Sequence, residues 1–200
     1  MQLVLASRNQ GKLRELEALL GAMGVQVLLE SQVGLDLEVE ETGTTFEENS
    51  LIKARAVMEA SGLPAIADDS GLEVDALGGA PGVYSARYGG LDSDEARTDL
   101  LLRNLEPVAD GGRTARFVSV VTACFPDGRI LQARGTCEGV ITRAPLGDGG
   151  FGYDPVFLVP SSGRTFAQMA PDEKNRLSHR AAALRQFAQK WIEEFGNADE

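Results

Sequence analysis

Asp68 and Asp69 stand side by side after the apolar run Leu63-Pro64-Ala65-Ile66-Ala67 and before Ser70-Gly71. Adjacent acids where a buried run stops are costly unless a cation meets them. Hard carboxylate oxygens suit Mg²⁺, which keeps several waters and bridges to phosphates. One such acid can ligate the metal and also take a proton from an attacking water. Glu40-Glu41 is a candidate companion pair. Asp-Asp-Ser-Gly is also good turn chemistry, so residue types alone leave both readings open.

Four other sets of residues offer matching groups. Ser7-Arg8-Asn9-Gln10-Gly11-Lys12 follows a short apolar run and precedes a leucine-spaced segment, with a helix expected from Lys12. A helix start exposes unpaired N–H groups, Ser7 and Asn9 can donate, Gly11 lets the backbone approach and Lys12 adds charge, all of which suit phosphate. An ordinary capped turn is the alternative. Lys53 falls within a segment, residues 46 to 61, that reads as a helix buried nearly all round, so it either snorkels to solvent or meets an anion. Phe151-Gly152-Tyr153-Asp154 places two aromatics in a glycine-rich loop, either to stack on a flat heterocycle or to anchor the strand that follows. Lys174, His179 and Arg180 crowd the start of the last helical segment. His179 lies about 140° from the Leu184 and Trp191 stripe at helical spacing, so it is not on that helix's main buried face. These three side chains suit phosphate or the carbonyl oxygens of a base.

The totals bound the partners. At 200 residues the chain suits one domain, with lobes, and can bury a core without staples. A net charge of −11 argues against coating a nucleic-acid polymer. A small polyanion is still compatible if lysines, arginines or a divalent cation gather at one place. Between Cys124 and Cys137, "FPDGRILQ" at residues 125–132 reads as a hairpin centred on Asp127-Gly128. That register sets the sulfurs roughly 20 Å apart, so free thiols are expected. The first ten residues turn polar early and no apolar run approaches the roughly 20 residues of a membrane span. No signal peptide, no membrane and a cytoplasmic location are the expectations.

The elements that must position these groups read as α/β: a two-lobed single domain over residues 1–196, with a central mixed, twisted sheet flanked by helices, a cleft between lobes, and a frayed tail at 197–200. Strands are expected at Leu3–Ser7, near Val25–Ser31, at Leu63–Ala67 and separately at Leu72–Leu77, with a long hairpin after Pro107. Thr44 or Thr45 is the expected cap of the Lys53 helix, and Pro171-Asp172 opens one last helix carrying Leu177, Leu184, Trp191 and Phe195 on one stripe.

Placed together, "LASRNQGKLREL", "ETGTTFEENSLIKARA", "PAIADDSGLEVDALGGAPGVYSARYGG", "GGFGYDPVF" and "SHRAAAL" closely resemble the inosine triphosphate pyrophosphatase family over nearly the whole chain. The resemblance implies Mg²⁺-dependent hydrolysis of dITP, ITP and XTP to the monophosphate and pyrophosphate, and a homodimer. It implies Ser7 to Lys12 and Lys53 as triphosphate contacts. Asp69 becomes general base and metal ligand, with Ser70 beside it on substrate, and Glu41 the second acid near the metal, with Glu40 open as an alternative. Phe151 to Asp154 become the base pocket, with Phe151 stacking, and Lys174, His179 and Arg180 bind and discriminate the nucleotide.

Overall fold

The structure, a computed structural model, describes residues 1–196; the tail expected at 197–200 lies outside the described residues. In chain order the elements are β1 (Gln2–Leu5), α1 (Gln10–Leu20), β2 (Gln26–Leu29), α2 (Phe46–Ser61), β3 (Ala65–Val74), α3 (Asp94–Asn104), β4 (Thr114–Cys124), β5 (Ile130–Ile141), β6 (Phe157–Val159), β7 (Arg164–Thr165), α4 (Pro171–Leu177) and α5 (His179–Phe195). Seven strands form one sheet in the order β2-β1-β3-β4-β5-β6-β7. β1 runs parallel to β2 and β3, whereas β6 is antiparallel to β5 and β7, so the sheet is mixed, as expected.

The chain divides into two compact units. The first comprises Met1–Asp69, Ser119–Gly135 and the segment from Ala183 on; the second comprises Ser70–Val118 and Thr136–Ala182. In the first, sheet alternation sorts the core. Leu3, Leu5 and Ile66 pack on Leu13, Leu16 and Leu20 of α1 and on Phe187 and Trp191 of α5. Val4 and Ala65 instead meet Val57 of α2, and Ala67 meets Ala54. α1 and α2 therefore cover opposite faces of the sheet. The second unit is built around Leu72, Leu101, Phe117, Tyr153, Phe157 and Phe166, with Phe117 and Phe157 rings 4.6 Å apart.

Local signals fix the α2 boundaries. Thr45, not Thr44, is the cap: its side chain accepts the Glu48 N–H while the Glu48 side chain returns to the Thr45 backbone. Gly62 ends the helix at φ 68°, a left-handed conformation that glycine adopts without a Cβ penalty.

Four expectations need correction here. β3 is one ten-residue strand through Asp68 and Asp69, not two strands separated by a turn. α2 is not buried all round, since Arg55, Glu59 and Ala60 are exposed. The single last helix is two: Ser178 takes an extended ψ of 152° between α4 and α5, and its hydroxyl accepts the Ala181 N–H to start the second. That break takes Leu177, which is exposed, off the Ala183, Phe187 and Trp191 stripe. The hairpin turn also differs, because the Phe125 N–H reaches Arg129 O across Pro126–Gly128 rather than across a two-residue loop. Both cysteines are buried and free. Among the described residues no helix is long and apolar enough to cross a membrane.

Candidate active site

The amino-terminal turn is held by its own side chains. The Ser7 hydroxyl accepts the Asn9 N–H at 3.1 Å, and Asn9 Oδ1 accepts from Gly11 N–H at 2.8 Å and Lys12 N–H at 3.2 Å. Asn9 is thus the cap of α1, which starts at Gln10, two residues earlier than expected. Ser7 and Asn9, expected as donors to phosphate, use acceptor atoms here; the Ser7 proton and the Asn9 amide hydrogens are their remaining donors. A Cβ at Gly11 would stand 3.0 Å from Asn9 Oδ1, so a side chain there would press on the cap. Arg8 pairs with exposed Asp36, and Gln10 is exposed.

Alternation on β3 sends the two adjacent acids to opposite faces. Asp68 shares the face of Ile66, and Lys12 of α1 donates to its Oδ1 at 2.6 Å. Asp69 shares the face of Ala67, and Lys53 of α2 donates to its Oδ1 at 2.9 Å. The same Lys53 ammonium donates to Glu41 Oε1 at 2.8 Å. The strand persists through the acids because each has a lysine on its own face. The acids do lie at a strand end, but that of the neighbour: β1 last pairs at Leu5 with Ile66. Lys53 meets anions and does not snorkel, and Glu41, not exposed Glu40, completes the cluster.

Burial is the strongest influence on Asp69. It pushes the carboxyl above the ordinary aspartate range; the Lys53 ammonium opposes this, Glu41 adds to it, and the Asn49 amide pulls weakly down. Lys53 is also lowered by burial, but the charges and hydrogen bonds of Asp69 and Glu41 outweigh that and leave it raised. Asp69 Oδ2 is buried with no hydrogen-bond partner. An oxygen in that position needs a water, a proton or a cation. Among the described residues no three His, Cys, Asp or Glu side chains stand together as a metal cage. Mg²⁺ does not require one, because it is typically held by one or two carboxylates plus waters and substrate phosphates. Glu41 and Asp69 fit that pattern.

In the second unit a contiguous set forms from residues far apart in sequence. Phe151 is 69 % exposed, whereas Tyr153 is 4 % exposed. The Tyr153 hydroxyl donates to Ser85 O at 2.9 Å, and burial pushes its pKa up. Tyr153 is therefore the loop's anchor, and only Phe151 presents a ring for stacking. Asp154 is buried; its Oδ2 accepts the Phe151 N–H at 2.9 Å and pairs with Lys174. The Lys174 ammonium lies 4.6 Å from the Phe151 ring centroid and 5.4 Å from that of Phe166. Phe166 and His179 each stack on Phe117, at 5.7 and 4.9 Å between ring centroids. His179 is off the main face of α5, as its phase indicated, but it is not simply solvated. Arg180 follows it, half-buried, in the first turn of α5, and Ser70 is half-buried on β3 directly after Asp69. Asp94, Thr98, Ser85 and Asn49 escaped the sequence reading: Asp94 accepts the Gly152 N–H, Ser85 holds Tyr153, and Asn49 lies beside Asp69. Asp94 had a visible signal, an acid following the cap residue Ser93, but that signal reads only as a helix start.

Known proteins resemble this chain over most of its length. The model of the Ham1 family matches residues 3–190. A dITP/XTP pyrophosphatase of Thermus thermophilus is 52 % identical over 185 residues, covering 92 % of this chain and 89 % of that protein. A dITP/XTP pyrophosphatase of Nitratidesulfovibrio vulgaris is 55 % identical, covering 94 % and 95 %. The solved Staphylococcus aureus Ham1 protein superposes with a TM-score of 0.91 at 41 % identity, covering 97 % of this chain and all of that one.

Proposed function

We propose, from the premise that the chain belongs to the Ham1 family, that it hydrolyses dITP, ITP and XTP at the α–β phosphoanhydride, giving the nucleoside monophosphate and pyrophosphate. Relatives about half identical over most of their length carry the name dITP/XTP pyrophosphatase, which supports this substrate class. The observation that carries the chemistry is the buried Asp69 carboxylate, with one oxygen on Lys53 and the other without a hydrogen-bond partner.

In this reading Asp69 accepts a proton from water as the water oxygen bonds to the α-phosphorus. The α–β P–O bond breaks and pyrophosphate leaves with its electron pair. Glu41 and Asp69 would hold Mg²⁺, which supplies charge to offset the polyanion. Lys53 and Lys12, with the donors of Ser7 to Gly11, take the phosphate tail, and Ser70 adds a hydroxyl. In the second unit Phe151 stacks on the purine, and Lys174, His179 and Arg180 supply donors. A donor side chain facing O6 of hypoxanthine or xanthine is satisfied, whereas the adenine 6-amino group leaves two donors opposed. Clearing deaminated purines from the nucleotide pool is the corresponding role. A homodimer belongs to the same proposal, supported by the family resemblance, and sedimentation at micromolar concentration tests it.

Pyrophosphate release from dITP, ITP, XTP, ATP, GTP and dTTP, with Mg²⁺ or with EDTA, tests the assignment. Release is expected from the first three, and only with Mg²⁺. Faster release from dTTP would overturn the specificity, and tight ITP binding without release would make the protein a nucleotide sensor.

A further inference from the structure

The exposed Phe151 ring stands on a loop whose backbone is gripped from α3. Asp94, the first residue of α3, accepts the Gly152 N–H through Oδ2 at 2.7 Å. Its other oxygen accepts from Arg97 Nη2 at 2.5 Å, and Arg97 Nη1 donates to Leu91 O at 2.7 Å. One turn further along α3, the buried Thr98 hydroxyl points at Gly152 O at 3.4 Å, a longer and weaker contact. Both ends of the Gly152 residue's peptide groups are thus addressed by one helix. Gly152 sits at φ 59° with open space where a Cβ would be, so its side of the loop has no packing of its own. These hydrogen bonds hold Gly152 itself, while Asp154 and Ser85 hold its neighbours Phe151 and Tyr153.

We propose that Asp94 is a positioning residue for base recognition: by holding the Gly152 N–H it sets the direction in which Phe151 presents its ring to the purine. Asp94 does not itself touch the nucleotide. Two features support a function beyond capping. The α3 cap is already supplied by Ser93, whose hydroxyl accepts the Ala96 N–H at 3.1 Å, so Asp94 is surplus to that task. The Asp94 carboxyl is also held below the ordinary aspartate range, first by the Gly152 N–H and then by Arg97, so it is an anion at neutral pH and its hydrogen bond is charge-assisted. A ring that is 69 % exposed has few contacts to fix it, and a mobile platform must lose that freedom when a base stacks. Asp94 reduces this ordering cost before the nucleotide arrives.

The inference rests on the proposed pyrophosphatase reading, and the experiment separates the two. Steady-state hydrolysis of ITP is measured for the intact chain and for Asp94→Ala, Asp94→Asn, Phe151→Ala and Asp94→Ala with Phe151→Ala. If the unaltered chain releases no pyrophosphate from ITP, the enzymatic reading fails first. If it does, Asp94→Ala is expected to raise KM about tenfold, the worth of one charge-assisted hydrogen bond, with kcat within about twofold. Asp94→Asn keeps an acceptor oxygen and should recover most of the KM. In the Phe151→Ala background, Asp94→Ala should cost less than about twofold, because its route of action is already gone. An unchanged KM in Asp94→Ala, a loss confined to kcat, or a tenfold KM cost that persists without Phe151 would each overturn the proposal.

Discussion

Lys53 Nζ stands 2.9 Å from Asp69 Oδ1 and leaves Asp69 Oδ2 buried without a hydrogen-bond partner. One carboxylate therefore has two unlike oxygens, one neutralised by an ammonium and one open to a water or a cation. Asp69→Asn preserves the shape and removes the basic oxygen. The expected outcome is a fall in kcat of about 10²- to 10⁴-fold, the usual worth of a positioned general base, with ITP still bound. Pyrophosphate release and calorimetric titration of ITP measure the two halves. Turnover within tenfold of the unaltered chain would remove Asp69 from the reaction.

Lys53 also decides whether two neighbouring carboxylates can remain charged. Lys53→Met keeps the stem of the side chain and deletes its ammonium, leaving Asp69 and Glu41 facing each other. Loss of one partner from such a pair typically costs about 3–5 kcal/mol. Glu41 is 26 % exposed and can turn toward water, which points to the lower end of that range. Without the ammonium, the pKa of Asp69 moves further in the direction burial already pushes it. The penalty should therefore shrink as pH falls and Asp69 takes up its proton. Urea unfolding at pH 7 and pH 5 checks this; a loss that does not diminish at pH 5 contradicts a charge-based origin.

How much of this was legible depended on whether a residue's partner was local. The α2 boundaries were readable because Thr45, Glu48 and Gly62 satisfy the helix ends within a few residues. For Lys53 the sequence left two outcomes open, snorkelling to solvent or meeting an anion, and only the placement of Glu41 and Asp69 decides between them. The course of β3 was not, because Asp-Asp-Ser-Gly has turn composition and only lysines 56 and 16 positions away, on opposite faces, let the strand continue. The break at Ser178 carries no proline or glycine, and a serine reads equally as a helix interior or as a cap. Asp94 and Gly152 are 58 residues apart, so no spacing rule joins them. The mixed sheet and the α/β class followed from periodicity, whereas the wiring between the site residues is tertiary.

Both thiols are buried, and their chemistry should show it. Burial first, then the Glu138 charge, pushes Cys137 from an ordinary 9.0 to about 11, and burial likewise raises Cys124. Ellman's reagent at pH 8 is expected to titrate neither cysteine in the folded chain and both after unfolding. The linkage has a definite sign. The folded chain holds the Cys137 proton more tightly than the unfolded chain does. The associated stability is complete below the unfolded pKa and is lost as pH rises through the folded one. Unfolding free energy should fall by about 3 kcal/mol across that window from this thiol, beyond what a Cys137→Ala chain shows. Equal slopes in the two proteins would exclude it.

Gly150 tests whether the Asp154–Lys174 pair must hold its place. A Cβ at Gly150 would lie 2.0 Å from Asp154 Oδ2, and the residue's φ of 76° already disfavours a side chain. Asp154 cannot retreat, because it is 3 % exposed and its Oδ2 also holds the Phe151 N–H. Gly150→Ala must therefore displace either the carboxylate or the loop, and both movements carry the Phe151 ring and the Lys174 ammonium with them. A misplacement of this size at a binding loop can cost about 100-fold in kcat/KM. Gly152→Ala is the matched control: its φ of 59° is similarly strained, yet a Cβ there meets nothing within 4 Å. It should lose no more than about tenfold, the conformational penalty alone. Hydrolysis of ITP by the two variants decides the matter: equal losses would mean that backbone strain, and not the buried carboxylate, governs the loop.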